Sequence, residues 1–299
     1  MDKLLDCSEI TRDSLLELFK LASDIKAHPE NYTDELKNKL VAVMFFEPST
    51  RTRMSFEAAI QRLGGRMIVT ENGKANSSST KGESLEDTIR ALDKYADAIV
   101  MRHSLDDAAI VADKVSRVPI INAGSGKAEH PTQALLDVFT IMDKRGSVDG
   151  TKLAILGDLK YGRTTHSLIQ LISLFDNIEV YGLSKEEFRL PDQYIEFMKR
   201  KGIPYKICES FDDIPKDVDV LYHTRIQAQR FEGDFEKEKY IINKEVLNKF
   251  SDHTMVLHPL PRNNEISVDV DDDPRAMYFE QVENGMYIRM AILKTILVK

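Results

Sequence analysis

The sequence predicts an α/β protein built from two doubly wound parallel-sheet domains. Short apolar runs of strand length alternate with amphipathic helical patterns along almost the whole chain, and this alternation is typical of parallel sheets covered by helices. A length of 299 residues favours two domains over one core. The strand candidates are residues 40–46, 67–69, 98–101, 118–121, 152–156, 178–181, 205–208, 218–222 and 255–257.

Helical patterns fill the spaces between these strands. Residues 84–96 carry an apolar face, and Ser84 precedes them as a candidate N-cap. Residues 131–145 carry another apolar face that ends at Gly146, which predicts a helix linking the two sheets. The last stretch, residues 285–299, is apolar on one face and predicts a helix that packs back on the first domain.

Composition and charge disfavour several classes of protein. The net charge of −8 disfavours nucleic acid as a partner, and no apolar run approaches the length of a membrane span. The first residues lack the apolar stretch of a signal peptide. The two cysteines, Cys7 and Cys208, have no metal-ligand spacing. We therefore expect a cytoplasmic protein with reduced thiols and with neither cofactor nor intrinsic metal.

The most informative motif follows the first strand candidate. Ser49, Thr50, Arg51 and Thr52 stand where that strand gives way to a helical pattern. The first turn of a helix has unpaired N–H groups and the positive end of the helix dipole. Hydroxyl and guanidinium donors beside it form an anion site without a glycine-rich loop. The alternative is an ordinary N-cap with solvated arginines, but two arginines and four hydroxyls within seven residues favour a phosphate site.

Polar residues follow other strand candidates as well. Ligands of open parallel sheets bind beyond the carboxyl ends of the strands, so this placement predicts one active site in the cleft between the two domains. His130 precedes a proline at a helix start, where the dipole favours a neutral imidazole. The strand-end segments are residues 49–53, 102–103, 124–133, 157–158, 223–225 and 258–262.

The Ser-Thr-Arg-Thr-Arg run at residues 49–53 resembles the carbamoyl-phosphate signature of the aspartate and ornithine carbamoyltransferase family. His-Pro-Thr-Gln at residues 130–133 resembles that family's His-Pro-x-Gln motif, and His-Pro-Leu-Pro-Arg at residues 258–262 resembles another of its motifs. The resemblance implies catalytic roles for Arg51, Thr52, Arg102 and His130. It implies that carbamoyl phosphate contacts Ser49, Thr50, Arg51, Thr52, Arg102, His130, Gln133, Pro259 and Leu260.

Three features resemble the aspartate branch of the family. Gly-Asp-Leu-Lys-Tyr-Gly-Arg-Thr occupies residues 157–164, and a Thr-Arg-x-Gln segment begins at Thr224. Thr132 and Pro259 stand where the ornithine branch has cysteine. Arginine forks suit carboxylates because they pair with them in bidentate fashion. The resemblance implies an L-aspartate site formed by Lys81, Arg163, Arg225 and Gln227.

A polar, serine-rich loop at residues 72–82 reads as a mobile linker from composition alone. In the family this loop reaches the active site of the neighbouring subunit. The resemblance therefore implies that Ser77 and Lys81 belong to the site next door, and that a homotrimer with shared active sites is the minimal unit. Some relatives also bind a separate zinc-containing regulatory chain in a larger assembly, and the sequence leaves open whether this chain does.

The resemblance covers essentially the whole chain. It implies a carbamoyl-phosphate domain at residues 1–131 plus 284–299 and an aspartate domain at residues 132–283. The implied reaction transfers the carbamoyl group of carbamoyl phosphate to the amine of L-aspartate, an early step of de novo pyrimidine synthesis. We also predict that Glu47 forms ion pairs with Arg163 and Arg230 that stabilise a closed form.

Three alternatives stay open at this point. One is a carbamoyltransferase for ornithine or another amine, which would share the phosphate site but lack the aspartate-specific arginines. A second is an NAD-dependent oxidoreductase, which the missing G-x-G-x-x-G spacing after residues 152–156 disfavours. The third is a catalytically inactive homologue that serves as a binding module, although such proteins usually lose catalytic side chains.

Overall fold

A computed structural model describes residues 1–71, 82–126, 129–226 and 240–298 of the chain. These residues form two compact units. Unit 1 comprises residues 1–136 and 283–299, and unit 2 comprises residues 137–282. Within the described ranges, no helix combines the length and the apolar character that crossing a membrane requires.

Unit 1 contains a four-stranded sheet in the order β2-β1-β3-β4, in which every neighbouring pair is parallel. The interior of this unit is formed by apolar strand residues such as Ala42 and Ile99 together with helix residues such as Ile89. The elements are α1 (Arg12–Ala27), β1 (Leu40–Phe45), α2 (Thr50–Arg62), β2 (Arg66–Glu71), α3 (Leu85–Leu92), β3 (Ala98–His103), α4 (Ala108–Val115) and β4 (Ile120–Ser125).

Unit 2 contains a five-stranded parallel sheet in the order β7-β6-β5-β8-β9. Two long helices belong partly to each unit: α5 (Pro131–Arg145) leaves unit 1, and α9 (Tyr278–Leu297) returns to it. The other elements are β5 (Lys152–Gly157), α6 (Arg163–Ile172), β6 (Glu179–Leu183), α7 (Asp192–Arg200), β7 (Tyr205–Cys208), β8 (Val220–Thr224), α8 (Lys244–Leu247) and β9 (Met255–Leu257), with short 3₁₀ turns between several of them.

Each predicted strand is present, so the predicted doubly wound α/β class is confirmed. The helix predicted over residues 84–96 is shorter and ends at Leu92, after which the N–H groups of Lys94 and Tyr95 donate to carbonyls three residues back and form tighter turns. Ser84 is its N-cap, as predicted, and its Oγ accepts from the Asp87 N–H at 3.1 Å. The last helix begins at Tyr278, earlier than predicted, since this tyrosine is buried in the core of unit 2.

Both sheets reverse their winding direction at one internal position. In unit 1 the chain moves from β1 outward to β2 and then returns to the other side of β1 as β3. In unit 2 it moves from β5 outward to β6 and β7 and returns beside β5 as β8. Ligands of open α/β sheets bind at the carboxyl ends of the strands at such switch points. Each unit therefore has one edge where the topology favours a binding site.

Candidate functional site

The predicted phosphate motif lies at the switch point of unit 1, between the end of β1 and the start of α2. Ser49 is the N-cap residue of α2, and within the described structure its side chain makes no capping hydrogen bond. Thr50 and Arg51 are exposed on the first turn, whereas Thr52 is 7% exposed and faces inward. The helix thus presents its first N–H groups, hydroxyls and a guanidinium at one place, which is the chemistry of an anion site.

The second arginine of the motif has a different environment. Arg53 Nη1 binds Glu57 Oε1 at 2.7 Å, one turn along α2, and Arg53 Nη2 lies 3.3 Å from Glu71 Oε2 at the end of β2. Two carboxylates therefore hold this guanidinium between a helix and a strand. We infer a structural role for Arg53, in keeping with the resemblance, which implies a catalytic role for Arg51 and none for Arg53.

Arg102 lies inside β3, one residue before its end, and not after the strand as predicted. The pairing of β3 with β4 shifts between Met101 and His103, because β4 contains one extra residue over this stretch. Asn122 supports this bulge by accepting from the Gly124 N–H at 2.8 Å. A bulge bends the strand that contains the extra residue, and here it lies on β4 opposite Arg102.

Two contacts bring Arg102 together with the other predicted groups of unit 1. Its carbonyl oxygen accepts from the Phe46 N–H at 2.8 Å, which ties the exit of β1 to β3. Its Nη1 lies 3.4 Å from His130 Nε2. Since a guanidinium can only donate, His130 Nε2 is the acceptor and the imidazole is neutral in this arrangement. Three motifs far apart in sequence therefore meet at one edge of the sheet.

His130 is buried and starts α5. Its carbonyl oxygen accepts from the N–H groups of Gln133 and Ala134, at 3.0 and 3.2 Å, which fixes the first turn of the helix. Gln133 is half-buried in that turn. Glu47 also reaches this region, because its Oε2 lies 3.8 Å from Arg102 Nε. The cluster thus combines the Arg102 guanidinium with a neutral imidazole and a nearby carboxylate.

In unit 2, Arg163 begins α6, after the turn that follows β5, and is 8% exposed. The turn before it is built by Asp158, whose Oδ1 accepts from the N–H groups of Lys160 and Tyr161 at 3.1 and 2.8 Å. Gly157 has φ +97°, and a Cβ there would lie 2.0 Å from the Thr224 carbonyl oxygen. Glycine is therefore required where the ends of β5 and β8 approach each other.

Arg225 directly follows β8, the neighbour of β5 in the sheet, and is partly buried. Thr224 links the two strand ends, because its Oγ1 accepts from the Asp158 N–H and lies within donating distance of the Leu156 carbonyl, both at 3.2 Å. Arg163 and Arg225 therefore flank the switch point of unit 2, one at the end of each adjacent strand. Such an edge suits a ligand with carboxylate groups.

The segment after β9 places Pro259 and Leu260 at the same edge. Leu260 has φ +51°, in the left-handed region that few residues with a Cβ adopt, and a cis bond joins it to Pro261. The Leu260 N–H donates to His258 Nδ1 at 2.8 Å, which holds this conformation. Pro259 and Leu260 are partly exposed.

Arg262, the last residue of the same motif, is paired with side chains of unit 2. Its Nη2 binds Asp271 Oδ2 at 2.6 Å and its Nη1 contacts Asp271 Oδ1, while Nη1 also lies 3.0 Å from the Tyr278 hydroxyl. The hydrogen bond from Arg262, together with one from Tyr278, outweighs burial and holds the pKa of Asp271 below its usual range. We infer that Arg262 braces the segment that carries Pro259 and Leu260.

Several predicted residues lie outside the described part of the chain, namely Ser77, Lys81, Gln227 and Arg230. Asn122, which also shapes the site, was not singled out from the sequence. Asp158 and Thr224 lie in the predicted strand-end segments, but their turn-building roles were not predicted, although aspartate next to glycine before a helix is typical of a turn. Within the four described ranges, no three His, Cys, Asp or Glu side chains are grouped so as to hold a metal ion.

Comparison with known proteins identifies relatives along nearly the whole chain. The profile described as aspartate/ornithine carbamoyltransferase, carbamoyl-P binding domain, matches residues 3–143, and the profile of the Asp/Orn binding domain of the same family matches residues 149–296. The aspartate carbamoyltransferase catalytic subunit of Methanocaldococcus jannaschii is 48% identical over 305 residues, which span 99% of this chain and 98% of that protein.

Solved structures give the same result for the fold. The M. jannaschii aspartate transcarbamoylase catalytic subunit in an orthorhombic crystal form superposes with a TM-score of 0.93 at 47% identity, covering 99% of this chain and 98% of that one. Aspartate transcarbamoylase from Trypanosoma cruzi, in complex with carbamoyl aspartate and phosphate, has a TM-score of 0.91 at 39% identity, covering 99% and 96%.

Proposed function

The chain belongs to the aspartate/ornithine carbamoyltransferase family, and from this premise we propose that it transfers the carbamoyl group of carbamoyl phosphate to L-aspartate. The products are N-carbamoyl-L-aspartate and phosphate. The contact between Arg102 and His130 carries this proposal, because it sets a guanidinium beside a neutral hydrogen-bonding group where β1 leads into α2. The T. cruzi relative was solved with both of these products.

Unit 1 binds carbamoyl phosphate. The phosphate group accepts hydrogen bonds from the helix N–H groups and side-chain donors of the first turn of α2 and from the Arg102 guanidinium. Its charge is stabilised by the helix dipole and by charge-assisted hydrogen bonds. Gln133 holds the carbamoyl amide from the first turn of α5. The proposed phosphate ligands are Ser49, Thr50, Arg51, Thr52 and Arg102, with Ser77 and Lys81 from a neighbouring subunit.

Three donors activate the carbonyl group. Thr52, Arg102 and His130 direct hydrogen bonds at the carbonyl oxygen, where negative charge develops as the amine attacks. The loss of one such donor costs about 3 to 4 kcal/mol at comparable acyl-transfer sites. His130 Nε2 faces Arg102 as an acceptor in the present arrangement, so donation to the substrate requires the other tautomer of the neutral ring or a reoriented ring.

Unit 2 binds L-aspartate. Arg163 and Arg225, with Gln227 and Lys81, hold the two carboxylates and so aim the amine at the carbonyl carbon. The backbone carbonyls of Pro259 and Leu260 accept hydrogen bonds from the reacting nitrogens. The reaction requires both sets of residues to act on one pair of substrates, since the amine must reach the carbamoyl carbon.

The chemistry requires no protein nucleophile. The aspartate amine attacks the carbamoyl carbon. The bond between that carbon and the oxygen bridging to phosphorus then breaks, and phosphate leaves with the electron pair. The amine loses one proton, and the departing phosphate is a suitable acceptor for it. Orientation and electrostatic stabilisation supply the rate enhancement, so neither cofactor nor metal enters the proposed mechanism.

We further propose that a homotrimer is the active unit, because Ser77 and Lys81 are expected to complete the site of a neighbouring copy. The proposed location is the cytoplasm, where reduced thiols persist, and Cys7 and Cys208 are both buried and form no disulfide. The product makes de novo pyrimidine synthesis the proposed pathway. A separate zinc-containing regulatory chain is a proposed additional partner, to be identified by its co-purification.

The test is phosphate release from carbamoyl phosphate with L-aspartate, with L-ornithine and with neither, on protein sized by light scattering. Release that depends on aspartate, from a species of three or more chains, is the expected result. Release with ornithine alone would show that the Arg225 segment has been misassigned. Activity of a monomer would contradict the shared site, and the absence of release with either amine would contradict the function.

A further inference from the structure

A chain of buried hydrogen bonds in unit 2 joins the two segments proposed to handle the amine substrate. Thr164, next to Arg163, hydrogen-bonds to the Tyr222 hydroxyl. That hydroxyl donates to Asp137 Oδ2 at 2.8 Å, and Gln281 Nε2 donates to Asp137 Oδ1 at 2.5 Å. Tyr222, Asp137 and Gln281 are all buried. Asp137 therefore holds β8 and α9 together beneath the carboxyl edge of the sheet.

The same network continues to the backbone of the segment after β9. Gln281 Oε1 accepts from the His258 backbone N–H at 2.9 Å, so one amide side chain is fixed by Asp137 on one side and by the segment on the other. A buried amide with both ends engaged has one orientation only. The position of His258 is thus set from α5, β8 and α9.

The His258 ring then fixes the next two residues. The Leu260 N–H donates to its Nδ1 at 2.8 Å, so Nδ1 carries no proton. Its Nε2 therefore carries the proton and donates to Glu265 Oε1 at 2.8 Å. The ring is neutral, in a single tautomer, and both of its nitrogens are engaged within the segment itself.

Glu265 completes the arrangement. It is fully buried, and its second oxygen accepts from the Asn263 N–H at 3.0 Å. Burial acts to raise the pKa of this carboxyl, but the hydrogen bond from His258 and those from backbone N–H groups outweigh it, and the pKa lies below its usual range. The carboxylate is therefore ionised and locks the His258 tautomer that Leu260 requires.

We propose that His258 is a positioning residue, which the Asp137–Gln281 pair and Glu265 orient so that the backbone carbonyls of Pro259 and Leu260 face the substrate. The inference rests on the proposed function, in which those carbonyls accept from the reacting nitrogens. His258 itself touches no substrate. Its role is to hold Leu260 in the left-handed conformation through one hydrogen bond.

Two substitutions at one position separate this role from simple packing. His258→Asn keeps an acceptor at the place of Nδ1 and loses the contact with Glu265, whereas His258→Gln keeps a polar group near Nε2 and loses the acceptor for Leu260. Both variants alter the surroundings of the buried Glu265 carboxylate. Only the glutamine variant releases the Leu260 N–H.

We expect His258→Gln to raise KM for carbamoyl phosphate and to lower kcat, with a combined loss of about tenfold to a hundredfold in kcat/KM, because small displacements of positioning groups cost this much. His258→Asn should stay within about threefold of the parent. The measurements are initial rates of phosphate release at saturating aspartate, on full-length protein whose folded fraction is known from urea unfolding.

A purely structural role predicts a different outcome. Partial unfolding lowers the apparent kcat in proportion to the folded fraction and leaves KM unchanged. Equal KM values for the two variants and the parent would therefore overturn the proposal. An inactive parent protein would instead remove the proposed function, and the positioning role with it.

A control and a second variant complete the design. Asp219 is a buried carboxylate at the amino end of β8, where it accepts from Arg145 Nε at 3.1 Å and from the Lys152 N–H at 2.8 Å. Asp219→Asn should reduce stability and leave KM for carbamoyl phosphate unchanged. If the His258 variants fail to fold, Gln281→Leu removes the acceptor of the His258 N–H. An unchanged KM in that variant would equally contradict the proposal.

Discussion

Unit 1 and unit 2 use the same topological position in different ways. At the switch point of unit 1, the exposed first turn of α2 carries Thr50 and Arg51 at the surface. At the switch point of unit 2, Arg163 is nearly buried, and a hydrogen-bonded network of buried residues lies behind it. The first edge combines exposed donors on α2 with the buried Thr52 and His130, whereas the second has a buried hydrogen-bonded frame behind it.

The difference follows from what each edge is proposed to bind. A phosphate accepts hydrogen bonds from all sides, so flexible side chains and helix N–H groups can satisfy it without a rigid frame. An amine that must attack one carbon needs a fixed direction, and misplacement is costly. Function and stability should therefore be separable in unit 1 and coupled in unit 2.

The largest expected effect concerns the two arginines of the phosphate motif. Arg51→Ala should lower kcat/KM for carbamoyl phosphate about a thousandfold, because a charge-assisted contact to the transition state is lost. The free energy of unfolding should change by less than about 0.5 kcal/mol, since the side chain is exposed. Arg53→Ala is the matched control: its carboxylate contacts stabilise unit 1 by about 1 kcal/mol. Equal activity losses in both variants, by kinetics and urea unfolding, would contradict the distinction.

The second effect tests the geometry of the unit 2 edge. Arg225→Lys keeps the positive charge but loses the planar fork, so KM for aspartate should rise about thirtyfold, or about 2 kcal/mol, while KM for carbamoyl phosphate stays the same. Arg189→Lys, which alters an arginine paired with Glu209 in the same unit, should leave both constants unchanged. A parallel rise in both KM values would show that Arg225 does not discriminate between the substrates.

Much of this comparison could be predicted from the sequence, because it depends on local pattern. Strand runs and the residues directly after them, such as Ser49 and Arg225, are contiguous in the chain. The frame of unit 2 could not be predicted, since Asp137, Tyr222 and Gln281 lie on three elements far apart in sequence. The contact that gives Arg53 its structural role was equally hidden, because Glu71 reaches Arg53 only when β2 has packed beside β1.

The stability of unit 2 should also be sensitive to acid. His166 is buried, stacks on Tyr194 with ring centroids 4.1 Å apart, and donates from Nε2 to the Leu159 carbonyl at 3.0 Å. Burial lowers its pKa to about 4. The unfolded chain binds a proton near pH 6.5 and the folded protein does not, so this group's contribution is fully present above pH 6.5 and is lost as pH falls towards 4.

Between pH 7 and pH 5, His166 should therefore account for a loss of about 2 kcal/mol in the free energy of unfolding. His166→Gln retains a donor near Nε2 and removes the titration, so its loss over the same interval should be smaller by that amount. His28→Gln, at an exposed histidine, should follow the parent curve. The measurement is urea unfolding at the two pH values. An equal loss of unfolding free energy in His166→Gln and in the parent would refute the assignment.

The smallest expected effect concerns Glu47, a carboxylate beside Arg102 in unit 1. Glu47 Oε2 lies 3.8 Å from Arg102 Nε, and our hypothesis is that in the closed form Glu47 pairs with Arg163 and Arg230 instead. If closure depends on this exchange, Glu47→Ala should raise KM for aspartate and reduce turnover by about fivefold in all, or about 1 kcal/mol. Binding of inorganic phosphate alone should be unchanged or tighter, because Arg102 loses a competing carboxylate.

Glu57→Ala, which removes the partner of Arg53 instead, is the control and should affect stability more than KM for aspartate. If KM for aspartate and turnover are unchanged in Glu47→Ala, closure does not depend on Glu47, and the donors of unit 1 act independently of the frame in unit 2.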